Sequence, residues 1–164
     1  MKTVKIVYGS TTGATAAAAI QLAGLLDAPA VSVAQAVPED FQADLLILGS
    51  STWGYGELQD DWFTGITMLD GLNLHGCKAA VFGTGDSCGF SDTFVNAIGI
   101  LADKAVERGA TLVGQVSAEG YPKTGSFALR DGSFVGLPLD ETNEPELTGK
   151  RLSAWAKTLQ AALD

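Results

Sequence analysis

The chain predicts a doubly wound α/β fold, a five-stranded parallel sheet with helices on both faces, and three observations carry that expectation. Apolar runs rich in Val, Ile, Leu and Ala recur five times, each nearly continuous rather than alternating, as in strands buried on both sides. Segments of helical character lie between most of them, the pattern of crossover connections between parallel strands. A length of 164 residues with 46% hydrophobic and 18% charged content fits one domain over residues 1–164 with a substantial core.

Taken in order, the first strand is read at Val4–Tyr8 and runs into a turn of Gly, Ser and Thr that opens an alanine-rich helix at Gly13–Leu26. The second strand follows at Ala30–Val33 and the third at Asp44–Gly49, with a helix at Asp60–Leu69 after it. The fourth strand is Ala79–Gly83, followed by a helix over Asp92–Arg108, and the fifth is Thr111–Val116. Residues 118–140 break the alternation with short β-like pieces between Gly, Pro and Asp-Gly turns, and read as an insertion in or next to strand five. A helix over Glu146–Leu163 closes the fold. The longest apolar stretches, such as Leu45–Leu48, are too short to cross a bilayer.

Ligands in such folds sit beyond the carboxyl ends of the strands, so the loops after strands one, three and four are expected to converge. The first of them, Tyr8–Thr15, reads YGSTTGAT. Backbone N–H groups at a helix N-terminus, with several hydroxyls beside them, suit a phosphate. Ala14 stands where a nucleoside-triphosphate loop needs Lys, and the GxGxxG spelling of a dinucleotide fold is missing. With no Lys or Arg in the loop, the expected ligand is one tightly kept phosphomonoester on a mononucleotide. The other two loops, Ser50–Gln59 and Thr84–Asp92, each couple Gly with an aromatic, Trp53 and Phe90. One aromatic from each can clamp a flat ring whose tail the phosphate loop anchors, and FMN has that shape.

Composition removes other functions. A net charge of −9 argues against nucleic-acid binding, and an acidic surface suits encounters with a basic protein face. Two cysteines, Cys77 and Cys88, form no disulfide framework or metal cluster and fit a cytoplasmic setting. No secretory segment is expected at Met1–Lys5.

Four motifs in order, GSTTGAT at Gly9–Thr15, STWGYGELQDDW at Ser51–Trp62, GTGDSCGFSDTFVNAIG at Gly83–Gly99 and GSFVGLPLDETNEPELTGKRLSAW at Gly132–Trp155, resemble the long-chain flavodoxins over essentially the whole chain. That resemblance implies the flavodoxin-like strand order 2-1-3-4-5 and an insertion in the last strand. It also implies a monomeric, cytoplasmic carrier rather than an enzyme. Such a carrier passes single electrons between redox proteins through non-covalent FMN, at low potential, by way of the neutral semiquinone and anionic hydroquinone. By position, Ser10, Thr11, Thr12, Gly13, Ala14 and Thr15 are expected to hold the phosphate. Ser51, Thr52, Trp53, Gly54, Tyr55 and Gly56 are expected on one side of the flavin, and Thr84, Gly85, Asp86, Phe90 and Asp92 on the other. Phe90 stands where the family commonly has Tyr, and Ala14 where Asn or Lys is frequent.

Two features of the residues suit the one-electron chemistry that the resemblance implies. An acidic, apolar surround opposes the negative charge of a second electron, and Asp60, Asp61, Asp86 and Asp92 lie in or beside the loops. Gly54 offers the backbone freedom to turn a carbonyl towards a newly protonated ring nitrogen. Trp62, Phe63 and Trp155 are read as core or helix-packing residues, His75 as solvent-facing, and Asp140, Glu141, Glu144 and Glu146 as a solvated surface. The alternative enzyme, an FMN-dependent NAD(P)H:quinone reductase, needs a second substrate pocket for which these short loops leave little room. A phosphoacceptor domain needs clustered Asp after the first strand, and none is there.

Overall fold

The computed structural model describes residues 2–53 and 55–164. The chain runs through β1 (Val4–Gly9), α1 (Ala14–Leu26), β2 (Ala30–Ser32), β3 (Leu45–Trp53), β4 (Glu57–Leu58), α2 (Trp62–Asp70) and β5 (Lys78–Thr84). It continues through α3 (Asn96–Glu107), β6 (Thr111–Leu112), β7 (Val116–Ser117), β8 (Leu129–Arg130), β9 (Ser133–Phe134), β10 (Leu137–Leu139) and α4 (Thr148–Leu163).

The main sheet has the order β10-β5-β3-β1-β2, and its neighbours along that path are all parallel. In terms of the five core strands this is 2-1-3-4-5, the expected doubly wound arrangement. Its cause is visible in β3, whose run Leu45–Leu48 is fully buried yet divided between two cores. Leu46 and Leu48 join Val7, Val81, Trp62, Ile98 and Leu101 on the α2/α3 side. Leu45 and Ile47 join Ile6, Phe82, Leu22, Leu152 and Trp155 on the α1/α4 side. Successive side chains of a strand point to opposite faces, so covering both faces needs every position apolar. Burial of each such Leu or Ile is worth about 1.5–3 kcal/mol before chain entropy is counted.

The last strand is split. β6 pairs with the start of β5 (Lys78↔Thr111, Ala79↔Leu112) and β10 with its end (Phe82↔Leu137, Thr84↔Leu139). Residues 113–136 leave the sheet between them, so the excursion begins before residue 118 and the chain has rejoined by residue 137. The strand expected over Thr111–Val116 keeps only its first two residues in the main sheet, because Val116 and Ser117 turn to pair antiparallel with β9. β7, β9 and β8 form a three-stranded sheet whose Phe134 stacks edge-on against Phe94 and Tyr121. Gly136 is required at the return. A Cβ there would sit 1.9 Å from the carbonyl oxygen of Val81.

Two further differences have simple causes. β3 runs on past Gly49 to Trp53 because its end pairs antiparallel with β4 (Thr52↔Leu58). Phe63 is not a packing residue: Trp62 is fully buried, and the next position on α2 lies a quarter-turn round the helix, leaving Phe63 55% exposed. Trp155 is buried as expected, and His75 is exposed. Among the described residues no helix is long and apolar enough to cross a membrane.

Candidate functional site

The carboxyl ends of β1, β3, β5 and β10 lie side by side, and the loops that follow them enclose a cavity of about 350 Å³. From the first loop Thr12 and Ala14 reach it. The turn is held by Gly13 at φ 98°, a conformation glycine adopts without strain, and by its N–H donating to Ser10 Oγ at 3.2 Å. Gly13 also stands as the N-cap of α1, so the helix opens with no side-chain cap and no acidic residue in its first turn. Its first N–H groups therefore face the loop with the positive end of the helix dipole behind them.

Thr15 takes a different place from its neighbours. It is only 1% exposed, and its hydroxyl shares a 2.8 Å hydrogen bond with that of Thr84. That buried bond ties the start of α1 to the end of β5 beneath the cavity. Thr11 lies exposed within the loop, where its hydroxyl accepts a hydrogen bond from Gln59 Nε2 at 3.1 Å.

Ser51, Thr52 and Trp53 line one wall. The Trp53 ring is fixed by its Nε1 donating to Ser51 Oγ at 2.7 Å, and Thr52 Oγ1 accepts from the N–H of Ala97 at the start of α3. Thr84, Gly85, Asp86 and Phe90 line the opposite wall. Trp53 and Phe90 are 40% and 62% exposed, two large aromatics bordering one cavity beside a helix N-terminus.

Asp86 anchors its own loop. Its carboxylate accepts the N–H groups of Gly89 (2.8 Å) and Cys88 (3.1 Å) and the Nδ2 of Asn143 (2.7 Å). The Gly89 N–H, followed by the Asn143 amide, holds the carboxyl below the usual carboxylate range, so Asp86 stands as a fixed negative charge on the cavity wall. The same Asn143 Nδ2 reaches both oxygens of Asp140 at 3.1 Å. Asp140 is completely buried and also accepts from the N–H and hydroxyl of Ser87. Its assignment to a solvated surface is thus corrected: long-range bonds from Ser87, in the loop after β5, draw it inside.

Not every expected residue reaches the cavity. Tyr55 is 95% exposed on the turn between β3 and β4, and Gly56 takes φ 94° against Asn96 on that same turn. Asp92 faces solvent beyond Phe90, and Gly54 lies outside the described residues. Five lining residues went unforeseen: Thr93, Phe94 and Val95 before α3, and Glu141 and Thr142 after β10. The last two were in principle findable, since they follow the carboxyl end of a core strand. A second cavity of about 480 Å³ opens between residues 115–121 and α4 and shares no lining residue with the first. No group of described residues could hold a metal ion.

A family model described as flavodoxin matches residues 6–155. Flavodoxin 1 of Azotobacter vinelandii is 41% identical, covering 98% of this chain and 97% of its own. A flavodoxin of Trichodesmium erythraeum is 39% identical over 98% of this chain and 97% of its own. A crystal structure of Fusobacterium nucleatum flavodoxin bound to flavin mononucleotide superposes with a TM-score of 0.94, at 29% identity and full coverage of both chains.

Proposed function

The chain belongs to the flavodoxin family, and from that membership we propose that it is a low-potential one-electron carrier holding one FMN non-covalently in the cavity at the carboxyl ends of β1, β3 and β5. The observation that carries this is the meeting of an uncapped helix N-terminus with Trp53 and Phe90, two exposed aromatics on facing loops around about 350 Å³. An anionic tail and a flat ring answer both features at once. Bound FMN supplies the capacity to take and release single electrons.

The chain's own residues do the rest. Within the loop Ser10–Thr15, the hydroxyls of Ser10, Thr11 and Thr12 and the backbone N–H groups that open α1 would hold the phosphate, a dianion met by neutral dipoles, while the buried Thr15 hydroxyl braces the loop against Thr84. Trp53 and Phe90 cover the ring and exclude water from it. Asp86, kept ionised by the Gly89 N–H, sets a negative charge on the wall and opposes further negative charge on the ring. Gly54 has the backbone freedom to present its carbonyl to a protonated ring nitrogen.

The protein catalyses no reaction of its own. It works as a cytoplasmic monomer, and its net charge of −9 selects redox partners with basic docking faces for short-lived contacts. The quinone-reductase alternative is not favoured, and a protein that oxidises no NAD(P)H by itself is the expected result. The direct test is release of the cofactor by denaturant and its chromatography: one FMN per chain is expected, and FAD or no flavin contradicts the proposal.

A further inference from the structure

Gln59 is a buried amide with every polar atom engaged, and it links two loops that are far apart in sequence. It is 3% exposed. Its Oε1 accepts the backbone N–H of Asp61 at 2.9 Å, while Nε2 donates to Asp61 Oδ2 at 3.0 Å and to Thr11 Oγ1 at 3.1 Å. The orientation of the amide is unambiguous. A backbone N–H must meet the oxygen and a carboxylate must meet the nitrogen, so the face turned to Thr11 is a donor.

That assignment fixes the hydroxyl beyond it. Thr11 Oγ1 accepts the hydrogen bond from Gln59 Nε2, and its own O–H must then point elsewhere. Thr11 sits exposed in the loop that opens α1, one residue before Thr12, which lines the cavity. Gln59 is itself held in place. Its backbone N–H donates to Ser50 Oγ, Asp61 grips both ends of its amide, and Gly9 leaves the space it fills, since a Cβ there would lie 2.5 Å from Oε1.

We propose that Gln59 is a positioning residue for the phosphate: by donating to Thr11 it commits the threonine hydroxyl as a donor to the phosphomonoester, and so contributes to the preference for FMN over riboflavin. The inference rests on the FMN reading above. It adds a buried residue from the segment between β4 and α2 to phosphate selection, which the phosphate loop alone would otherwise carry.

The test is a double-mutant cycle on the apo chain, with Gln59→Met (similar length, no donor), Thr11→Val (similar shape, no hydroxyl) and both together. Dissociation constants for FMN and for riboflavin are read by flavin fluorescence quenching. Gln59→Met is expected to weaken FMN about three- to tenfold when Thr11 is present and less than about twofold when it is replaced, with riboflavin unchanged throughout. Thermal unfolding of each apo variant separates loss of fold from loss of discrimination. Equal weakening of FMN and riboflavin, or the same effect of Gln59→Met in both backgrounds, overturns the proposal. A wild-type chain with no preference for FMN over riboflavin would instead overturn the FMN reading, and the role of Gln59 with it.

Discussion

Replacing Asn143 by Leu removes a side-chain donor that serves two carboxylates from different loops. Its Nδ2 lies 2.7 Å from Asp86 Oδ1 and 3.1 Å from each oxygen of Asp140. Hydrogen bonds to charged groups are worth about 1.5–3 kcal/mol each. Asp86 is partly exposed and regains water when the amide goes, so its share falls at the lower end. Asp140 is buried but keeps the two donors of Ser87. A loss of about 2 kcal/mol at neutral pH is expected, or about 4–8 °C in the melting temperature for a domain of this size. The sign of the pH dependence follows from Asp86, whose carboxyl is depressed in the folded chain first by the Gly89 N–H and then by Asn143. A depressed carboxyl contributes stability that is full above the ordinary carboxylate range and is lost as pH falls through its folded value. The wild-type advantage over Asn143→Leu is therefore largest near neutral pH and narrows on going to about pH 3. Urea unfolding of both apo chains across that range measures it. A difference that stays constant down to the acid end, or no difference at neutral pH, refutes the tether between these loops.

Thr12→Ala is expected to weaken FMN by about 1.5–3 kcal/mol while leaving riboflavin nearly unchanged, since only FMN offers the phosphate that a cavity-lining hydroxyl can meet; fluorescence titration with both ligands checks it. Electron transfer to a partner with a basic face is expected to slow between low and physiological ionic strength, because exposed charges are screened over about 8–10 Å; stopped-flow rates that ignore salt would remove the electrostatic part. Gly54→Ala is expected to make the first reduction potential more negative by roughly 40 mV, at a backbone cost near 1 kcal/mol, with oxidised FMN binding almost intact. Potentiometry together with the dissociation constant decides that case, and weaker oxidised binding with an unchanged first potential contradicts it.

What could be read from the sequence follows from what leaves a local mark. Strands covered on two faces must be apolar at every position, so Leu45–Leu48 announces itself. Loops that carry Trp53 and Phe90 among glycines are equally conspicuous, and both residues reach the cavity. The split of the last strand left no such mark. Thr111–Val116 has the composition of one strand, and Leu137–Leu139 carries Pro138, which is tolerated because β10 is an edge strand. Asp140 sits among Glu141, Glu144 and Glu146 and reads as surface, yet its burial is decided by Ser87, 53 positions earlier. Gln59 is invisible for the same reason, since its partner Thr11 is 48 positions away. Tyr55, a loop aromatic beside Trp53, is 95% exposed on the turn between β3 and β4.

A stepwise reduction of the FMN-loaded protein, followed by visible absorption against a potential scale, tests the central claim most directly. The account predicts two separate one-electron steps, with the second at clearly lower potential and a long-wavelength absorption band present between them. A single two-electron step, or a purified chain that retains no flavin after exposure to FMN, would contradict it.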